Sequence, residues 1–140
     1  MALVCPDQMG EILLLQYIVG MVNADNPVLH LFSNDVTPSD STIKADLTEV
    51  GTTTGYHPIT LLSANWTTTQ TAGVTTAVYS EQTFVFATNV SAYGYYVTNA
   101  TNQLLWLERF TGAPFSVPDG GGTISIAAKL ALSWFKKAKY

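Results

Sequence analysis

The sequence predicts a mainly β protein, an antiparallel jelly roll or β-sandwich of about nine strands preceded by one short N-terminal helix. Runs rich in β-branched and aromatic residues recur about every 8–12 residues between turn-forming residues, which is typical of sandwiches and barrels. No alternation of strands and helices supports a parallel sheet. A length of 140 residues predicts a single domain. Within it we expect residues 1–26 to form a helix and turn, and residues 27–140 to form the β-body.

Charged residues are unusually scarce in this chain. Asp, Glu, Lys and Arg make up 11% of it, whereas an ordinary domain carries about 25%. Nineteen threonines take much of their place. Because the cores of protein interfaces are depleted in charge, this composition predicts a surface that packs against other proteins. A net charge of −4 gives no basic face, so we expect no direct nucleic-acid binding.

The N-terminal helix is predicted from an apolar run at residues 12–22, which ends before Pro27. Asp7 and Glu11 precede the run and no Lys or Arg does, which is the opposite of a signal peptide. The run is also about half the length that a bilayer requires. We therefore expect a short enclosed helix that can act as a contact arm, and no membrane partner.

The strands follow the helix in a regular series. They are predicted at residues 28–32, 57–62, 64–69, 74–79, 82–87, 93–98, 104–110, 123–127 and 129–134, where 57–62 and 64–69 form either two strands or one kinked strand. A mixed stretch at residues 44–49 is expected to be extended. The clearest hairpin joins residues 93–98 to residues 104–110, because the intervening Asn99 and Asn102 tolerate positive φ.

Residues that carry chemistry are few. His30 lies inside an apolar strand, which favours a structural histidine, and His57 lies in a turn, which favours a surface position. Neither has the neighbours of a zinc site, and nothing near Cys5 would activate its thiol. Two carboxylate pairs, Asp46 with Glu49 and Asp35 with Asp40, could meet, but both occur in loop-like sequence. We predict no catalytic, cofactor-binding or metal-binding residues, and hence no enzyme and no cofactor.

Aromatic residues concentrate in the predicted hairpin, with three tyrosines in residues 93–98 and Trp106 on the returning strand. This pattern is typical of core packing with a cross-strand aromatic pair. The alternative is an exposed platform for sugar rings, built from Trp66, Tyr95 or Trp134. In that case the chain would be a carbohydrate-binding β-sandwich module.

Four stretches occur in an order that resembles a family of small virion proteins of tailed bacteriophages. They are residues 29–38 (LHLFSNDVTP), 45–49 (ADLTE), 93–97 (YGYYV) and 104–110 (LLWLERF). Residues 6–15, with Gly10 and Glu11, also fit the family, so the resemblance covers most of the chain. The similarity is greatest to the cement, or decoration, proteins of phage heads.

The resemblance implies a non-enzymatic protein that binds the outside of an HK97-type capsid and stabilises it. Its partners would be the major capsid protein and other copies of itself, with a dimer favoured over a trimer. It would be made in the bacterial cytoplasm and reside on the outer surface of the virion. In the alternative, the carbohydrate-binding module would belong to a phage tail or fibre. We expect contacts from the N-terminal helix, residues 33–55 and the chain ends. The predicted interface residues are Leu14, Tyr17, Ile18, Asp35, Thr37, Pro38, Leu47 and Tyr56.

Overall fold

The computed structural model describes residues 26–71 and 74–133. These residues form eleven strands, and all of their pairings are antiparallel. The strands are β1 (Val28–Phe32), β2 (Ile59–Thr60), β3 (Trp66–Thr71), β4 (Val74–Tyr79), β5 (Gln82–Phe86), β6 (Val90–Ala92), β7 (Gly94–Thr98), β8 (Leu104–Arg109), β9 (Phe115–Val117), β10 (Gly122–Ile126) and β11 (Lys129–Ser133). The prediction of a mainly β, antiparallel protein is therefore confirmed. The predicted N-terminal helix, including Leu14, Tyr17 and Ile18, lies outside the described residues, as does Trp134.

The described chain forms two compact units. The larger unit contains residues 26–61 and 81–126, and the smaller unit contains residues 62–80 and 127–133. In the larger unit, four strands form a sheet in the order β2-β1-β7-β8. β1 is paired along both edges, and its Leu29, Leu31 and Phe32 are fully buried. This explains why the sequence of β1 is almost continuously apolar rather than alternating.

Gly94 allows β7 to approach its neighbours closely. A Cβ atom at this position would overlap the main-chain oxygen of Glu108 on β8. It would also lie 2.6 Å from ring atoms of Phe32 on β1. Every residue of β7 is buried, so neither neighbour has free space to move into. A side chain at residue 94 is therefore excluded by packing.

Two further strand pairs belong to the larger unit, β5 with β10 and β6 with β9. In β5, Phe84 and Phe86 are buried while Val85 between them is 63% exposed. β10 repeats this pattern, since Ile124 and Ile126 are buried and Ser125 is exposed. The period-2 alternation gives this pair of strands one apolar face and one uncharged outer face.

The smaller unit contains a three-stranded sheet in the order β11-β4-β3. Trp66 on β3 lies opposite Tyr79 on β4, and their rings meet edge to face with centroids 5.2 Å apart. The Tyr79 hydroxyl accepts hydrogen bonds from the Leu62 main-chain N–H at 2.8 Å and from Asn65 Nδ2 at 3.1 Å. Thr67, by contrast, is exposed. Threonine thus occupies an outer position of this sheet, in register with the exposed Lys129 on β11.

The predicted hairpin is confirmed by the pairing of β7 with β8, and Asn102 in its turn has a φ of 68°. The stretch at residues 44–49 is not an extended strand. It forms a 3₁₀ turn at Lys44–Asp46 and then a single bridge between Glu49 and Phe32. β6 and β9 were not predicted, because each has only three residues and so displays little periodicity.

Candidate functional site

His30 is held at both ring nitrogens inside the larger unit. Its Nδ1–H donates to Glu49 Oε2 at 2.7 Å, and its Nε2 lies 2.9 Å from the hydroxyl oxygen of Thr98. Its ring stacks on Tyr96, with centroids 4.6 Å apart. His30 is only 7% exposed, so the prediction of a structural histidine is confirmed. We name His30, Glu49, Tyr56 and Thr98 the polar core cluster.

Tyr56 links this cluster to the main chain of β1. Its hydroxyl donates to Glu49 Oε2 at 2.7 Å and accepts from the Leu31 N–H at 3.1 Å. β2 pairs with the start of β1, and the bridge between Phe32 and Glu49 lies near its end. The tyrosine hydroxyl therefore replaces a strand partner for Leu31 between these two pairings. Without it a buried N–H would lack an acceptor, which costs about 1–3 kcal/mol.

The polar core cluster shifts the pKa values of Glu49, Tyr56 and the neighbouring Tyr96. Burial disfavours an ionised Glu49, but the hydrogen bonds from His30 and Tyr56 outweigh burial and hold the pKa of Glu49 below its ordinary value of 4.5. Burial, with the nearby Glu49 carboxylate, raises the pKa of Tyr56 and of Tyr96 well above the ordinary 10.0. Glu49 is thus an anion that accepts two hydrogen bonds at one oxygen. This arrangement anchors residues 48–50 to the sheet.

Asn34 and Arg109 fasten the loop that follows β1. The Asn34 side chain donates to the Asp46 main-chain oxygen and accepts from the Thr48 N–H, both at 2.8 Å. Arg109 on β8 forms an ion pair with Asp35 at 2.6 Å and donates to a main-chain oxygen of the same loop at 3.0 Å. These contacts hold residues 33–48 in a defined conformation although the loop is largely exposed.

The predicted interface residues in the loop lie at different depths. The Asp35 side chain is 71% exposed even though it is paired with Arg109. Thr37 is exposed, and Pro38 and Leu47 are half-buried. Tyr56, in contrast, is 1% exposed, because its ring packs in the core and its hydroxyl belongs to the polar core cluster. Tyr56 is therefore a core residue in this fold, whereas Asp35 and Thr37 are exposed on the loop and Pro38 and Leu47 are partly accessible.

Two of the three aromatic side chains considered for sugar binding are buried, and the third, Trp134, lies outside the described residues. Trp66 is 7% exposed and Tyr95 is 3% exposed. The Tyr95 hydroxyl donates to Glu108 Oε1 at 2.8 Å, so this residue satisfies its polar atom within the hairpin. Neither ring presents a free face to a sugar. The expectation of aromatic core packing in the hairpin is confirmed for Tyr95 and Tyr96.

Three of the four carboxylates considered for catalysis are engaged in structural contacts. Asp35 pairs with Arg109, and Glu49 accepts hydrogen bonds within the polar core cluster. Asp46 accepts from the Ile43 main-chain N–H at 3.0 Å, where it caps the 3₁₀ turn. Across residues 26–71 and 74–133, no group of three or more His, Cys, Asp and Glu side chains is placed to hold a metal ion.

A groove of about 240 Å³ opens on the surface of the larger unit. It is lined by Gly55, His57, Pro58, Ile59, Thr83, Phe84 and Val85. None of these side chains is Asp, Glu, Lys or Arg, and His57 is exposed as its turn sequence predicted. The sequence indicated the alternation of β5 but not the groove, because the two walls come from distant parts of the chain.

Large apolar side chains also reach solvent elsewhere. Ile43, Leu62 and Phe115 are between 50% and 59% exposed. None of the helices in the described part of the chain is long and apolar enough to cross a bilayer. Comparison of the chain with protein-family models, with curated proteins and with solved structures gives no match.

Proposed function

We propose that this chain is a non-enzymatic structural protein of a tailed-phage virion, a decoration protein that binds the outside of an HK97-type capsid. Its partners are the major capsid protein and other copies of itself, with a dimer favoured. In this proposal the β-body has the jelly-roll arrangement of that family. The N-terminal residues and the loop after β1 provide the contacts with the shell.

The observation that carries the proposal is the uncharged outer face of the β5–β10 pair. The outward positions of β5 and β10 are Thr83, Val85, Thr123 and Ser125. Such a surface loses little hydration free energy when a neighbour covers it, because no ion has to be desolvated. The core of a protein interface is depleted in charge for the same reason.

The loop of residues 33–48, which Asn34 and Arg109 hold in place, is a second observation that supports the proposal. Asp35, Thr37, Pro38 and Leu47 are presented on a loop whose conformation Asn34 and Arg109 hold. A segment that is ordered before binding loses less conformational entropy when it binds. On a shell with many equivalent positions, modest contacts of this kind add up through avidity among linked copies.

The test uses shells of the source phage that lack this protein. We expect the purified chain to sediment with such shells and to saturate at copy numbers fixed by the capsid lattice. Reconstruction of the complex by electron cryomicroscopy should place the chain on the outer surface. Failure to sediment with the shells, or a position on the tail, would refute the proposal.

A set of loop variants makes the test specific to the predicted contacts. Thr37→Asp adds a charge at an exposed position of the loop and Leu47→Asp adds one at a half-buried position. We expect each to weaken attachment about tenfold. Thr67→Asp adds the same charge at an exposed position of β3, outside the proposed contacts, and tests whether the effect is specific to the loop. Equal losses from all three variants would argue against a dedicated loop contact.

A further inference from the structure

Residues 33–49 form a segment of the larger unit in which no side chain is fully buried. Two main-chain bonds close the base of this segment. The Ser33 N–H donates to the Thr48 oxygen at 2.8 Å. The N–H of the buried Val50 donates to the Leu31 oxygen at 3.1 Å. Because regions with little buried apolar surface open at a lower free energy than a protein core, polar contacts decide whether this segment stays on the sheet.

Glu49 joins the end of the segment to two other parts of the larger unit. Its Oε2 accepts a hydrogen bond from His30 Nδ1–H on β1 and another from the Tyr56 hydroxyl, each at 2.7 Å. The Tyr96 hydroxyl on β7 and the Lys44 ammonium group also face the carboxylate. All four of these groups favour the ionised form of Glu49, so its attachment to the sheet depends on its negative charge.

A proton on Glu49 would weaken this attachment at either carboxylate oxygen. The Glu49 side chain is 35% exposed, so protons from solvent reach it. A proton on Oε2 would meet the hydrogens that His30 and Tyr56 direct at the same atom. A proton on the other oxygen would leave two neutral bonds in place of two charge-assisted ones, and neutral bonds are about half as strong.

His30, in contrast, can take up a proton without loss of a contact. Its Nε2 lies 2.9 Å from the Thr98 hydroxyl oxygen, and a hydroxyl group can donate or accept. A neutral His30 accepts from Thr98, whereas a protonated His30 donates to it and places a positive charge beside the Glu49 carboxylate. The event that weakens the attachment is therefore the loss of charge at Glu49.

Two further carboxylates in the segment make contacts of a different kind. Asp35 pairs with Arg109, but the Asp35 side chain is 71% exposed, and ion pairs this exposed contribute little to stability. Asp46 accepts from the Ile43 N–H within the 3₁₀ turn, so this bond does not join the segment to the sheet. Glu49 is the carboxylate whose charge holds the segment against β1.

We propose that Glu49 is an acid-sensitive switch, and that proton uptake by its carboxylate releases residues 33–50 from the sheet while the rest of the larger unit stays folded. β1 keeps its pairings with β2 and β7 in the released state. The pKa of Glu49 is lower in the folded chain than the ordinary 4.5, so the segment is held above about pH 4.5 and is released as the pH falls through the folded-state pKa. The release is a property of the free chain and does not depend on the proposed function.

The test measures hydrogen–deuterium exchange at single amides of the free chain, from about pH 6 to about pH 3. Each rate is divided by that of an unstructured chain at the same pH to give a protection factor. We expect the protection of the Ser33 and Val50 amides to fall at least about tenfold, because their bonds open with the segment. The Leu61 amide, bonded to the Pro27 oxygen at 2.7 Å, is the reference and should change less than about twofold.

A matched pair of variants identifies the carboxylate that acts. Glu49→Gln has no charge at any pH, so its Ser33 and Val50 amides should be as weakly protected at about pH 6 as those of the unmodified chain are in acid. Further acidification should change them less than about threefold. Asp35→Asn removes an exposed carboxylate of the same segment and should keep the acid response of the unmodified chain.

Three outcomes would overturn the proposal. Constant protection at Ser33 and Val50 down to about pH 3 would show that the segment is not released. An equal loss of protection at Leu61 would show that the whole unit unfolds instead. An acid response that persists in Glu49→Gln, or that disappears in Asp35→Asn, would assign the switch to another carboxylate.

Discussion

Single side chains replace missing secondary structure in this protein. The Tyr56 hydroxyl bonds the Leu31 N–H at a point of β1 between two strand pairings, and it also fixes the Glu49 carboxylate. The carboxylate in turn fixes His30, whose other nitrogen contacts Thr98. Because these bonds are buried or partly buried, the loss of one partner leaves another without compensation.

Tyr56→Phe tests this role with the removal of one oxygen atom. We expect the free energy of unfolding to fall by about 1–3 kcal/mol, because the buried Leu31 N–H loses its acceptor. Urea titration followed by tryptophan fluorescence measures the change. Tyr93→Phe is the control, since the ring beneath Arg109 is retained, and it should change stability by less than about 0.5 kcal/mol. Equal effects of both variants would contradict the assignment.

The lowered pKa of Glu49 predicts how the free energy of unfolding changes as the solution becomes acidic. Its pKa is lower in the folded chain than the ordinary 4.5, so its contribution is present above about pH 4.5 and is lost as the pH falls through the folded-state pKa. The stability of Glu49→Gln should therefore decline less steeply than that of the unmodified chain below pH 4.5. Parallel curves from urea titrations across this range would show that Glu49 is not responsible, and Glu81→Gln provides an exposed control.

At the scale of elements, close packing of β1, β7 and β8 governs which residues are tolerated. Gly94 is the sharpest case, because its position has no room for one further carbon atom. Gly120, in the turn before β10, has no atom within 4 Å of the place where its Cβ would be. The two glycines therefore differ in packing.

Gly94→Ala is expected to lower the free energy of unfolding by about 1–3 kcal/mol, because the added methyl overlaps β8 and Phe32. Gly120→Ala should be within about 1 kcal/mol of the unmodified chain. Thermal unfolding followed by circular dichroism compares the two variants. A tolerated Gly94→Ala would mean that β7 can move away from its neighbours.

Strands and turns could be predicted from the sequence where the pattern that identifies them lies in consecutive residues. The alternation of Phe84, Val85 and Phe86 identified β5, and the asparagine turn identified the hairpin. The polar core cluster was not predictable, because His30 lies 19 residues from Glu49 and 68 residues from Thr98. No periodicity encodes contacts at such separations. Tyr56 looked like a surface residue for the same reason, since distant residues bury it.

For the molecule as a whole, scarce charge determines how it can recognise a partner. Charged residues make up 11% of the chain. The proposed contacts with a shell involve the N-terminal residues, the uncharged face of the β5–β10 pair and the loop of residues 33–48. Such contacts depend on shape, buried apolar area and main-chain hydrogen bonds, which salt screens weakly.

Attachment to shells should therefore be nearly independent of salt. We expect the affinity to change less than about threefold between about 0.05 and 0.5 M NaCl, because few exposed ion pairs contribute. Sedimentation with shells across a salt series measures this. A steep fall in affinity with rising salt would instead indicate that charged residues dominate the contact.

The position of β1 in the chain has a consequence for biosynthesis. β1 is the first described strand, yet the residue opposite Val28 in β7 is Thr98. On a ribosome, the apolar residues of β1 emerge long before their partners on β7 exist. Pairings this distant in sequence also form slowly in a free chain. Newly made copies therefore pass through a stage in which an apolar strand is exposed, and crowded synthesis makes aggregation at that stage the main hazard.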